Sequence, residues 1–136
     1  MKTVRKLGFT LVELMVVAVI VAILAAVAVP LMAGNRRKAI ATEGQAGLGT
    51  IRNAMRVYKS EKGQYPASES GKIIKDAPIL NVRSGDLEGK YFKTDNYVLT
   101  TVTPSNFIIT ATVYTNDNTG RTVTLDEQGE WGGTLL

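Results

Sequence analysis

Glu13 is the residue whose surroundings demand chemistry. It follows Gly8-Phe9-Thr10-Leu11-Val12 and precedes an unbroken apolar run from Leu14 to Val29, so one carboxylate lies inside a stretch of membrane length. An acidic side chain at bilayer depth costs about 2.5–3.5 kcal/mol on insertion scales, which makes it a functional hypothesis whose counter-charge has to be named. The nearest candidate is the amine that a cut after Gly8 would create on Phe9. Other reactive chemistry is scarce. The chain has no Cys and no His, which removes the usual nucleophile–base pairs and zinc ligand sets. Asp126, Glu127 and Glu130 could formally serve a paired-carboxylate hydrolase, but they flank Gly129 in a polar stretch that reads as a turn. No enzyme is expected.

The basic leader Met1 to Lys6, the Gly8/Phe9 junction, Glu13 five residues past that junction, and Pro30 at the end of the apolar run resemble the N-terminus of type IV pilins and type II secretion pseudopilins. The close resemblance covers roughly the first 35 residues. It implies that residues 1–8 are a leader removed between Gly8 and Phe9 by a prepilin peptidase, and that Phe9 is then N-methylated. It also implies that mature copies pack through their apolar helices into a filament, with help from an inner-membrane assembly platform.

The 136 residues amount to one domain, and a membrane segment of about 30 leaves only about 100 for a small globular head. The formal charge of +4 overstates the basic character, because Lys2, Arg5 and Lys6 lie in the leader; without them 13 basic and 12 acidic residues remain. No specific nucleic-acid partner is expected, since phosphate binding needs Lys and Arg clustered on a folded face. Without cysteine, the head has to hold itself by packing and strand pairing, unlike pilins that close a C-terminal loop with a disulfide.

The 25 residues from 9 to 33, rising about 1.5 Å each as a helix, would reach roughly 37 Å and cross a hydrocarbon core of about 30 Å. A cleaved secretory signal ending near Ala25-Ala26-Val27-Ala28 is the bland alternative; Glu13 argues against it. Lys2, Arg5 and Lys6 before the segment are balanced by Arg36, Arg37 and Lys38 after it, so charge counting alone gives no orientation. On a helix Phe9 and Glu13 are one turn apart, and an ammonium on Phe9 could pair with Glu13 within one subunit or between neighbours. The resemblance implies the pair between neighbours, where it would set register. Pro30, with Gly34 one turn on, is expected to kink the helix or let it melt locally.

Residues 9–35 thus read as the membrane and filament-core helix, and 36–62 as its amphipathic continuation. Ile40, Gly44, Gly47, Leu48, Ile51, Ala54, Met55 and Tyr58 fall on one side at 3.6 periodicity, with Lys38, Gln45, Arg52, Asn53, Arg56 and Lys59 opposite. The arginines 36, 37, 52 and 56 could be a solvated face, a subunit contact or a nucleic-acid patch. Lys62-Gly63-Gln64-Tyr65-Pro66 ends the helix. Residues 63–96 read as a connecting loop with one or two brief elements.

From 97 to 136 the period changes to two. Tyr97 and Leu99, then Phe107, Ile109, Ala111 and Val113, then Val123 and Leu125 alternate with threonines. Turns at 103–106 and 116–120 make an antiparallel meander, and Glu127-Gln128-Gly129 can return Trp131 as a fourth strand. The expected fold is α+β and pilin-like: a long N-terminal helix, apolar in its first half, packed against an antiparallel sheet of three or four strands. Tyr58, Tyr97, Phe107 and Trp131 are assigned to core packing rather than electron transfer. No metal or other cofactor is expected. Calcium is the one ion weighed, on Asp117, Asn118, Asp126 and Glu127, whose spacing matches turn chemistry better than a ligand loop.

The first functional expectation is a structural subunit of a type IV pilus-like extracellular filament, serving adhesion, motility or DNA uptake. It would stand as a single-pass inner-membrane protein before assembly. The alternative is a major pseudopilin forming a periplasmic piston for type II secretion. A third reading is a membrane-anchored surface binding protein that does not polymerise.

Overall fold

A computed structural model describes residues 8–114 and 120–136. Helix α1 runs from Leu11 to Lys62, and the chain divides into two compact units, one ending at Arg36 and one from Arg37 to Leu136.

In the first unit every described residue is exposed. Phe9, Leu11, Val12, Leu14, Met15 and the valines, isoleucines and leucines through Met32 stand open, because the segment is apolar all round and has no polar face to give to solvent. The helical assignment continues through Pro30 and Gly34.

The second unit builds its own core. Ile40, Ala41, Gly44, Gly47, Leu48, Ile51 and Met55 of α1 are buried, with Ala54 and Tyr58 half-buried against them, the stripe that the 3.6 period predicts. Gly44 and Gly47 let the covering layer come close. A Cβ on Gly44 would lie 2.9 Å from the Phe92 ring and 3.3 Å from a Val123 methyl, and one on Gly47 would overlap the Tyr97 hydroxyl. The helix stops where Gly63 takes φ +77° and donates its N–H to the Lys59 carbonyl at 2.8 Å, a left-handed closure that suits glycine.

The sheet has four antiparallel strands in sequential order: β1 (Tyr97–Val102), β2 (Phe107–Thr112), β3 (Thr122–Asp126) and β4 (Trp131–Gly132). Tyr97, Leu99, Phe107, Ile109, Ala111, Val123 and Leu125 all face inward, as strict alternation requires. A register shift between Leu99 and Thr101 marks a bulge in β1. On the outward side, Thr100 donates its hydroxyl to Thr110 at 2.6 Å. The β1–β2 turn closes through the Thr103 N–H to the Asn106 carbonyl and the Asn106 N–H to the Thr103 hydroxyl. Of the turn expected at 116–120, residues up to 119 lie outside the described residues.

Segment 63–96 departs from the expected loop with one or two elements. It forms five short 3-10 turns and a bridge from Ile73 to Val98. It also supplies a large share of the core: Tyr65, Ile74, Ala77, Leu80, Leu87 and Phe92 are buried, with Tyr65 set edge-on to Phe107 at 4.9 Å. These apolar residues follow no period because they lie in or between short turns rather than on one regular element.

Two expectations for single residues are corrected. Trp131 is 43% exposed rather than core: β4 is only two residues long and forms the sheet's edge, so no further strand among the described residues covers the indole. Arg52 is not on a solvated face. Its Nη2 donates to the Glu127 carbonyl at 3.1 Å and its Nε is buried with no hydrogen-bond partner among the described residues, so it pins the β3–β4 turn to α1.

Candidate functional site

The carboxylate at Glu13 is held by the turn that starts α1. Thr10 donates both its backbone N–H and its hydroxyl to Glu13 Oε2, each at 2.8 Å, while the Glu13 N–H donates back to the Thr10 hydroxyl at 3.3 Å. This is a reciprocal capping box: Thr10 is the cap, Glu13 is the third helical residue, and two orphan donors of the first turn are answered. The helix therefore begins at Leu11, and Phe9 stands just outside it, 81% exposed. Because residue 9 lies before the cap, the one-turn helical spacing weighed for a pair within one subunit is not formed here. The spacing Thr10-x-x-Glu13 was the signal that sequence reasoning passed over.

Among the described residues Glu13 Oε1 has no hydrogen-bond partner, and the capping box sets the carboxylate against Thr10, two residues beyond Gly8. Of the leader only Gly8 belongs to the described residues; the basic residues Lys2, Arg5 and Lys6 lie outside them. From Leu11 onward, α1 contains a window of mean hydropathy 3.0, all of it exposed, long and apolar enough to cross a membrane. Thr10, Glu13 and the apolar surface behind them thus form one feature: an acid at the tip of an uncovered greasy rod.

Of the four residues weighed for calcium, Asp126 and Glu127 have partners within the second unit. Asp126 Oδ1 accepts the N–H groups of Gly129 and Glu130 at 2.9 and 2.8 Å, the side-chain closure typical of Asp in a turn. Glu127 Oε1 lies 3.4 Å from the Tyr65 hydroxyl and 3.8 Å from Lys59 Nζ. Asp117 and Asn118 lie outside the described residues. Among the described residues, no group of three His, Cys, Asp or Glu side chains could hold a metal ion.

Comparison with known proteins agrees with this layout. Residues 4–29 match the model of the prokaryotic N-terminal methylation motif. The chain is 42% identical over 67 residues to the type II secretion system core protein G of Aeromonas hydrophila, covering 49% of this chain and 47% of that one. It is 39% identical over 95 residues to the protein of the same name from Pectobacterium carotovorum, covering 69% and 58%, and 40% identical over 91 residues to that of Klebsiella pneumoniae, covering 65% of each. The chain thus spans about half to two thirds of the length of the curated relatives it matches. Among solved structures, the non-core minor pilin PilV of Neisseria meningitidis superposes with a TM-score of 0.51 at 21% identity, over 74% of this chain and 89% of that one, a likeness of fold.

Proposed function

We infer that this chain, which belongs to the family of type IV pilins and type II secretion pseudopilins, is the main repeating subunit of a short periplasmic filament that serves protein secretion. The observation that carries the reading is the 39–42% identity to several proteins named type II secretion system core protein G. The expectation of an extracellular pilus gives way to its alternative on that ground. Minor pilin PilV supports only the fold.

In this reading α1 holds the chain in the inner membrane before assembly, while a prepilin peptidase cuts between Gly8 and Phe9 and Phe9 is methylated. The new ammonium of one copy then meets the Glu13 carboxylate of another. An uncompensated carboxylate in a bundle of apolar helices is expensive, and pairing removes that penalty only when copies stack in the right register. Thr10 keeps one Glu13 oxygen occupied by the cap, so the other is the one presented to the neighbouring amine. Pro30 and Gly34 mark where α1 would loosen on packing. The assembly platform of the inner membrane is the expected partner.

Electron microscopy of sheared cells and of isolated envelopes tests the reading, together with a secretion assay in a strain lacking this chain. Periplasmic assemblies containing the chain and a loss of secretion are expected. Long surface fibres with secretion intact would replace it with the pilus reading, and a chain that stays monomeric in the envelope would leave the non-polymerising anchor.

A further inference from the structure

A cavity of about 150 Å³ opens in the second unit between the α1 residues Glu43, Ala46, Gly47 and Thr50 and the segment from Asp86 to Gly89, with Tyr97 at its wall. Three carboxylates line it. Glu43 Oε1 accepts the N–H groups of Tyr91 and Phe92 at 2.7 and 2.9 Å, leaving its Oε2 with no partner among the described residues. Glu88 Oε1 accepts from the Thr94 N–H and hydroxyl, and its Oε2 meets Lys93 at 3.2 Å. The Asp86 N–H donates to the Arg83 carbonyl at 3.0 Å, and its carboxylate has neither hydrogen bond nor ion pair among the described residues.

Tyr97 supplies an independent observation. The residue is 1% exposed, yet its hydroxyl reaches the cavity wall beside Gly47 and has no hydrogen-bond partner among the described residues. The rest of the residue is buried, so the phenol oxygen is the part left open to the cavity, where it can meet a donor. Burial, together with the negative charges of Glu43 and Glu88, holds that phenol in its neutral form by pushing its pKa up. The cavity also depends on two missing side chains: a Cβ on Gly47 would overlap the Tyr97 hydroxyl, and one on Gly89 would overlap the Glu43 carboxylate.

We propose that this cavity binds an alkylammonium or guanidinium group. Lys93 answers one carboxylate, so Glu43 and Asp86 keep a surplus of negative charge, and the phenol oxygen offers lone pairs to an N–H donor. Ala46 and Leu87 supply apolar wall for the methylenes behind a charged head. The described carboxylates do not converge as a metal set, whereas a cation carrying several N–H donors can reach separated acceptors. The group has two sources: a Lys or Arg side chain of a second copy, or a free amine.

The test uses the isotopically labelled full chain in detergent micelles, titrated with methylguanidinium and with n-butylammonium, against n-butanol as the neutral control. Saturable shifts at the Gly47 and Gly89 amides and the Tyr97 ring are expected with both cations and not with butanol. Asp86→Asn and Tyr97→Phe should each weaken binding, Asp86→Asn by about tenfold, the scale of one charge-assisted hydrogen bond. Glu43 is left intact because it also holds the backbone at Tyr91 and Phe92. Thermal melts identify any variant that fails to fold, in which case the other carries the test. Absent shifts, equal shifts with butanol, or unchanged affinity in both folded variants would overturn the proposal. Repeating the titration on assembled filaments separates the sources: a blocked site assigns it to the neighbouring copy, an open one to a free amine. The micelle titration does not depend on the filament reading, so the failure of one is distinguishable from the failure of the other.

Discussion

Two stretches of α1 treat their apolar side chains in opposite ways. Leu11 to Met32 leave theirs open, while Ile40, Leu48, Ile51 and Met55 are sealed under β-strands and the 63–96 segment. The difference lies in the arrangement of apolar residues rather than in their presence. An all-round apolar helix cannot be satisfied by one covering layer and needs lipid or many like helices; a single stripe is satisfied by one sheet. The second unit can therefore complete itself, whereas the first requires something outside the chain. Substitutions in the first unit should change assembly without melting the head, and those in the second should melt the head without changing insertion.

The largest effect is expected at Glu13. Glu13→Val should preserve membrane insertion and abolish filaments, read as the loss of this chain from the sheared or isolated polymer fraction while its envelope level is maintained. Normal polymers from that variant would break the division, because assembly would then run on apolar contact alone. In the second unit the counterpart is Leu48→Ala, which opens a cavity in a fully buried position. It should destabilise the head by about 2.7–5 kcal/mol, measured by denaturant unfolding of the full chain in detergent, with insertion unchanged.

Gly47→Ala probes how closely the layers of the head approach. Its methyl would overlap the Tyr97 hydroxyl, and overpacking of this kind typically costs about 1–3 kcal/mol. Adding Tyr97→Phe removes the clashing oxygen, so the double variant should recover part of that loss. A simple sum of the two single effects would show that the strain lies on the Tyr97 ring, which the methyl also approaches, rather than on the hydroxyl. Smaller again is Thr10→Ala, which deletes the cap on α1 and should weaken the first turn by about 1 kcal/mol, lowering assembly efficiency while Thr10→Ser stays near wild type.

The same comparison explains what could be read from residues alone. Regular periods gave α1 and the strands their extent, and the stripe from Ile40 to Tyr58 named the face that is buried. Gly63 announced the helix end by its need for a positive φ. The interior of 63–96 was hidden because Tyr65, Ile74, Leu80, Leu87 and Phe92 are spread in and between five short turns with no shared spacing. Arg52 was misjudged for a related reason: its partner carbonyl on Glu127 is 75 positions away, and no local pattern reports such a contact. At the candidate site, Glu13 was legible from its isolation in an apolar run. The partner that it uses within the chain, Thr10, follows not from charge but from the unpaired N–H groups of a helix start.

The smallest effect concerns Glu88, whose carboxylate is held below its ordinary pKa by the Thr94 backbone N–H first, the Thr94 hydroxyl next and Lys93 after that. A depressed carboxylate pKa favours the folded state above the unfolded value of 4.5, and that contribution is lost as pH falls through the lower folded value. Acid should therefore loosen the 84–96 segment, where Thr94 also ties to the Ser84 carbonyl at 3.1 Å, before it affects α1 from Leu11 to Met32, which has only Glu13 to titrate. Glu88→Gln keeps an acceptor oxygen but removes the charge, so its stability should change less with pH below 4.5 than that of the wild type. Amide exchange at Thr94 measured across that range reads the effect: protection that falls equally in both proteins would place the acid sensitivity of the head elsewhere.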